Sequence, residues 1–360
     1  MSNYVYSSSP QIKSRRTSRW IMIDVCIALL PACLAGIIIP FTQNQTTLGL
    51  MALLHIAIAT LSAVCAEWVY LLCCKKSFKQ ILQQFDFTSV VTGLLVGMNM
   101  YANSAWYATL LASIFAIVVV KMLFGGTGKN IANPAIAGRI FAFISFGTAF
   151  GGTMHFVDQS GEPAKIFSSI SGNYISGATP LQAMFGNYQV AEESYRNSLN
   201  YLDLFMGTGV PGTIGEVCKL ALIIGGIYLI VRGVLNFRWP LVYILTTAVT
   251  AIIIAVATAK DASKVDVLNV FLTSILSGGL ILGAIFMATD YVTTPNTKLG
   301  NYIYFVCLGV LTAVLRWAVK GEAVSFAILL MNLFVPLIDQ YIVRRPFGYV
   351  KPPKKQKEAK

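Results

Sequence analysis

The chain has 360 residues, 56% of them hydrophobic and only 12% charged, with a formal net charge of +12. A soluble domain carries about 25% charged residues, so this chain lacks half the charge that a water-facing surface needs and falls among integral membrane proteins. Its basic residues stand between apolar runs rather than along one face, which argues against a nucleic-acid partner and makes them a topology signal.

The first apolar run, 20–41, follows Arg15, Arg16 and Arg19. A signal peptide or twin-arginine signal starts in the same way. The length of this run and its lack of a small-residue cleavage site instead predict a retained first span. Nine more runs near the ~20 residues needed to cross a bilayer lie at 48–73, 88–104, 105–122, 134–150, 216–235, 240–258, 268–289, 301–318 and 323–343. The third to fifth of the ten are short and interrupted by Gly97, Asn99, Asn103 and Gly138.

The predicted fold is thus an all-α membrane protein of about ten helices. With both termini in the cytoplasm, 20 of the 27 basic residues, Lys121 and Arg139 among them, fall on the cytoplasmic side, as the positive-inside rule requires. Residues 1–19 then form a cytoplasmic arm, 20–150 a first membrane half and 216–343 a second. Residues 344–360 form a basic cytoplasmic tail. Residues 151–215 are polar and too long for a mere connection. Five spans precede them, so they are expected outside, as an extracytoplasmic subdomain.

An internal repeat emerges from two hexapeptides. Thr88-Ser89-Val90-Val91-Thr92-Gly93 opens the third span, and Thr273-Ser274-Ile275-Leu276-Ser277-Gly278 lies in the eighth. Five spans separate them, so one copy runs outward and the other inward. Two inverted five-helix halves follow, with binding sites expected where their discontinuous helices meet.

Few residues offer chemistry. Phe124-Gly125-Gly126-Thr127-Gly128-Lys129-Asn130 looks like a phosphate loop, but Leu123 and Asn130 stand where that loop needs glycine and Ser or Thr. A tight turn is the better account. Glu67, inside the second span, is costly unless paired or facing a cavity, which makes it a candidate for an ion path or an interhelical contact. Asp290, beside Thr293, Thr294 and Pro295, is either a turn former or part of a site. The cysteines Cys26, Cys33, Cys65, Cys73, Cys74, Cys218 and Cys307 show no CxxC or framework spacing and read as packing or lipid-facing residues. An iron–sulfur ligand shared with a partner chain is the alternative. His55 and His155 are too few for a conventional metal site.

Several segments carry a family resemblance: Ser7-Ser8-Ser9-Pro10-Gln11-Ile12, Ile21-Met22-Ile23-Asp24-Val25, Ala28-Leu29-Leu30-Pro31-Ala32, Val91-Thr92-Gly93-Leu94-Leu95, Phe124-Gly125-Gly126, Asn133-Pro134-Ala135 and Ala288-Thr289-Asp290. Together they resemble the D subunit of the Rnf electron-transport complex, and are similar to the B subunit of the sodium-pumping NADH:quinone reductase. Gln11 stands where that family often has His, and Tyr291 where it commonly has Pro. The short arm before Trp20 favours the Rnf D type.

The resemblance implies that Ser176-Gly177-Ala178-Thr179 is a flavinylation site, with FMN on the Thr179 hydroxyl through a phosphoester installed by a flavin transferase. It also implies a noncovalent flavin such as riboflavin within the membrane. The niche between the halves, with Glu67, Asn133 and Asp290, is the candidate place for that flavin or for an ion path. The implied partners are the other Rnf membrane subunits, a second flavinylated subunit, and cytoplasmic iron–sulfur and nucleotide-binding subunits. The implied function is electron transfer between ferredoxin and NAD coupled to ion transport. A stand-alone secondary transporter with inverted repeats is the rival reading, as is a B-type quinone reductase subunit.

Overall fold

Each of the ten apolar runs contains helix in the computed structural model, which describes residues 17–43, 46–150, 201–207, 212–258, 266–319 and 321–343. The helices are α1 (Ser18–Thr42), α2 (Thr46–Cys73), α3 (Phe78–Gln84), α4 (Thr88–Met98), α5 (Trp106–Phe115), α6 (Pro134–Phe146) and α7 (Tyr201–Met206). They continue with α8 (Lys219–Val231), α9 (Arg238–Thr258), α10 (Val267–Leu276), α11 (Leu280–Leu282), α12 (Lys298–Val319) and α13 (Val324–Tyr341). Two π-helical stretches prolong α5 (Ala116–Met122) and α11 (Gly283–Met287). In lipid every backbone N–H must find its partner within the protein, which is why Leu-, Ile- and Ala-rich runs settle as helices.

Helices α1, α2, α9, α12 and α13 are long and apolar enough to cross a membrane, and α10 with α11 makes a further span bent by 60°. The chain is therefore a multi-pass membrane protein. Helices α4, α5 with its π stretch, α6 and α8 are apolar but shorter. Large side chains such as Leu61, Ile253 and Leu333 face outward, while Ala28, Ala59, Ala112, Ala251 and Ala327 are buried between helices. Small residues let backbones approach, the main source of helix association where lipid is as apolar as leucine. Gly93 illustrates this on α4: a Cβ there would lie 2.6 Å from Thr60 Cα on α2.

The neighbour pattern repeats. Helix α2 packs on α4 and α5, and α5 packs on α6; likewise α9 packs on α10 and α12, and α12 on α13. Between the groups, α1 packs on α8 and α6 on α13. The first contact is tied by Asp24, whose carboxylate accepts from Tyr228 at 3.0 Å and Arg232 at 3.2 Å.

Two interruptions differ from expectation. Asn99 does end α4, but Gly97 and Gly138 lie inside helices. Gly138 gives α6 room against the Ala112 carbonyl, where a Cβ would stand 2.7 Å away. The decisive break is in α10–α11, where Gly278 takes φ +68°, a conformation open to glycine at little cost. Residues 124–130 form the expected turn, with Gly125, Gly126 and Gly128 all at positive φ.

Candidate functional site

Between the two groups of helices lies a cleft. Its walls are apolar, from Ile21, Val91, Leu95, Ile285 and Phe286; its polar lining comes from Thr88, Thr92, Lys121, Asn130, Asn133 and Asp290. Few polar groups among apolar walls is the usual make-up of a small-molecule site. Both π-helical stretches border it, through Lys121 and through Ile285 and Phe286, and π-turns recur at functional sites.

Two of the three sequence-derived candidates line this cleft directly, and the third reaches it through a partner. Asn133 caps α6: its side chain accepts from Ala135 N–H at 3.0 Å and donates to the Met287 carbonyl at 3.1 Å. One amide thus starts a helix of the first group and holds the π stretch of the second. Asp290 combines the two roles weighed for it, accepting from Thr293 at 3.4 Å while lining the cleft. Glu67 forms an interhelical ion pair: Lys121 Nζ donates to its Oε1 at 2.9 Å and to Thr88 Oγ1 at 2.5 Å. Lys121 lines the cleft, so its charge arrives already balanced.

A second polar cluster centres on Arg139, which the sequence marks only as a charge inside an apolar run. Arg139, 7% exposed, donates to Glu322 at 2.9 and 2.6 Å, to Ser325 at 2.9 Å and to Asn99 at 3.0 Å. Glu216 lies 3.9 Å from the same guanidinium. Arg316, 1% exposed, donates to the Ser274 and Ser277 carbonyls, at 2.7 and 3.2 Å. The positive-inside count treats Lys121 and Arg139 as loop charges. Both are instead buried in ion pairs, because each lies within an apolar run and finds a carboxylate on a neighbouring segment. The asymmetry survives, since Lys219 and Arg316 are also buried and leave the opposite count. An arginine inside an apolar run is the legible signal for Arg139; nothing local marks Glu216 and Glu322 as its partners.

The two hexapeptides sit by opposite ends of α8. Thr88 shares the cleft with Leu229 and Val234, whereas Ser277 binds Arg316 beside Gly279, Glu216 and the α8 start at Lys219. Each hexapeptide receives a buried cation from a later helix, Lys121 on Thr88 and Arg316 on Ser274. Ser176, Gly177, Ala178 and Thr179 lie outside the described residues.

The chain matches the model of the NQR2, RnfD, RnfE family over residues 5–348. It is 36% identical to the D subunit of the Na(+)-translocating ferredoxin:NAD(+) oxidoreductase complex of Acetobacterium woodii, covering 99% of this chain and 98% of that protein. It is 32% identical to the D subunit of the proton-translocating ferredoxin:NAD(+) oxidoreductase complex of Clostridium ljungdahlii, covering 96% of each. It is 28% identical to the D subunit of the ion-translocating oxidoreductase complex of Yersinia enterocolitica, over 95% and 98%. The family resemblance read from the segments between Ser7 and Asp290 is therefore correct, and the chain belongs to the NQR2, RnfD, RnfE family.

Proposed function

We propose that this chain is the D-type membrane subunit of an Rnf-type complex, in which electron transfer between ferredoxin and NAD drives ion movement across the membrane. The observation that carries the reading is the match to D-type subunits over essentially the whole chain. Its partners are then the other membrane subunits, a second flavinylated subunit, and the iron–sulfur and nucleotide-binding subunits. The long spans, the bent span and the four shorter apolar helices coincide with the ten apolar runs. The repeated neighbour pattern and the opposed hexapeptides support two inverted halves. Ten crossings of a bacterial inner membrane would leave both termini cytoplasmic and residues 151–215 outside. Relatives named for sodium and for protons are similarly close, so the ion is left as a class.

Flavin is the cofactor of this reading, FMN on Thr179 and a noncovalent flavin such as riboflavin in the cleft. The described residues fit the latter. Apolar walls suit a flat ring system, Thr88, Asn133 and Asp290 offer polar groups for its edge, and the Glu67–Lys121 pair leaves no unbalanced cation to demand a phosphate. Bound flavin would supply one- and two-electron transfer. The chain's part is to seat it, keep lipid and water away and hold its polar edge.

The test is direct. Co-expressed with a flavin transferase acting on residues 151–215, the chain should fluoresce as flavoprotein in a denaturing gel. Thr179→Ala should abolish that signal while changing stability by no more than about 0.5 kcal/mol. Ser176→Ala should keep it. Persistence of the label in Thr179→Ala would move the attachment site; no label in the wild-type chain despite an active transferase would favour the transporter reading.

A further inference from the structure

The second polar cluster holds two carboxyls with too few donors. Gly279, at the break before α11, is the point they share: a Cβ there would lie 2.6 Å from Glu216 Oε1 and 2.7 Å from Glu322 Oε1. Both oxygens therefore face one point beside the Gly279 backbone. Two carboxylates cannot bond unless one carries a proton, because an ionised carboxyl only accepts.

The surrounding cations place their hydrogen bonds elsewhere, although Arg139 stands 3.9 Å from Glu216 Oε1. Arg139 places two bonds on Glu322, and the Gly279 N–H adds a third at 3.2 Å. Arg316 is held by the Ser274 and Ser277 carbonyls, and Lys219 donates to the Glu216 backbone carbonyl at 2.5 Å. Tyr101 also faces the cluster. Glu216 is 4% exposed, and among the described residues its Oε1 has no hydrogen-bond partner, nor do the buried hydroxyls of Ser277 and Thr213. A buried carboxylate oxygen without a donor costs several kcal/mol. Glu322 is the better-solvated of the two, so the shared proton belongs on Glu216.

The cluster lies at the start of an apolar helix. Lys219 opens α8, whose 13 residues rise about 20 Å before Arg232 meets Asp24, against a hydrocarbon core of roughly 30 Å. Glu216 precedes Lys219 by less than one turn. A buried ionisable residue at the edge of an apolar run is a functional candidate. The cluster is also wired to the cleft: Arg139 bonds Asn99, whose Nδ2 lies 3.8 Å from Met287 Sδ, and the Met287 carbonyl accepts from Asn133.

We propose that Glu216 is a proton-exchange site: one proton, shared between the Glu216 and Glu322 carboxyls at the α10–α11 break, is released and regained at Glu216. The exchange breaks and reforms a single O–H bond and involves no oxidant. Sodium is the poorer occupant, since the cations Arg139 and Lys219 flank the point. The site goes beyond the flavin reading and does not depend on it.

The test uses the full chain in its purified complex and a hydrophobic carbodiimide, which reacts with protonated buried carboxyls, read by peptide mass spectrometry. Glu216 should be labelled and Glu322 spared. Labelling should fall about tenfold for each pH unit beyond the point at which the proton is lost, and added sodium should not protect. Glu322→Gln frees Arg139 to pair with Glu216 and should suppress labelling of Glu216; a merely buried, protonated glutamate would stay reactive. The proposal is overturned if Glu216 is unlabelled, if Glu322 takes the label, if labelling persists in Glu322→Gln, or if sodium protects. All are read without electron transfer, so a failed flavin assignment would leave them intact.

Discussion

The two buried ion pairs, Glu67–Lys121 beside the cleft and Arg139–Glu322 at the α10–α11 break, invite comparison because each lies next to one copy of the hexapeptide. At the cleft the hexapeptide begins a helix. Thr88 opens α4 and offers its hydroxyl, and Lys121 takes that hydroxyl and one carboxylate. At the break the hexapeptide ends a helix. Its Ser274 and Ser277 carbonyls have lost their helical partners, and Arg316 satisfies them without a carboxylate. The lesson is that similar sequence at opposite helix ends meets a cation through different acceptors, a side-chain hydroxyl at the start and unpaired carbonyls at the end. A single cation and acid suffice at one end, while the other gathers three cations and two acids.

The comparison can be broken most severely at Arg139. Arg139→Leu strands Glu322, Ser325 and Asn99 at once. Breaking a buried pair in this way costs about 3–5 kcal/mol, so the complex should melt markedly earlier or fail to accumulate. Adding Glu322→Leu should recover much of the loss, as replacing both partners of a buried pair is often neutral; no recovery in thermal melts would mean that Arg139 is needed for more than charge balance.

The same manoeuvre at the cleft should cost less. Lys121→Met removes two hydrogen bonds and leaves a carboxyl beside an open cleft, at about 1–3 kcal/mol. Equal melting shifts for the two variants would remove the distinction between the ends. Asn133→Ala tests the joint between them and should cost about 1 kcal/mol through the lost cap. If the cleft seats a noncovalent flavin, that variant should also release more of it on gel filtration, whereas covalent label would be untouched.

Much of this architecture is legible in the sequence. Composition and apolar run length give helices in a membrane whatever their packing, because lipid offers the backbone no other partner. The Asn133-Pro134 start and the glycine turn at 124–130 are readable because capping and positive φ are properties of one or two residues. Glu67 is readable as an oddity, a charge where charge is costly, yet its partner Lys121 is 54 residues away and counts as a loop charge until the helices are packed.

Sequence alone therefore determined the class, the apolar runs, the hexapeptide repeat and the family resemblance, since each depends on local composition or on residues close in the chain. Only tertiary structure decided where the charges meet. Arg139 finds Glu322 across 183 residues and Glu216 across a segment that carries no local mark of contact. Whether a buried arginine is a loop charge, an ion pair or part of a proton site depends on which carboxylates packing brings within about 4 Å. Small residues such as Gly138 and Gly279 leave room for that approach, the first between helices and the second beside the two carboxyls.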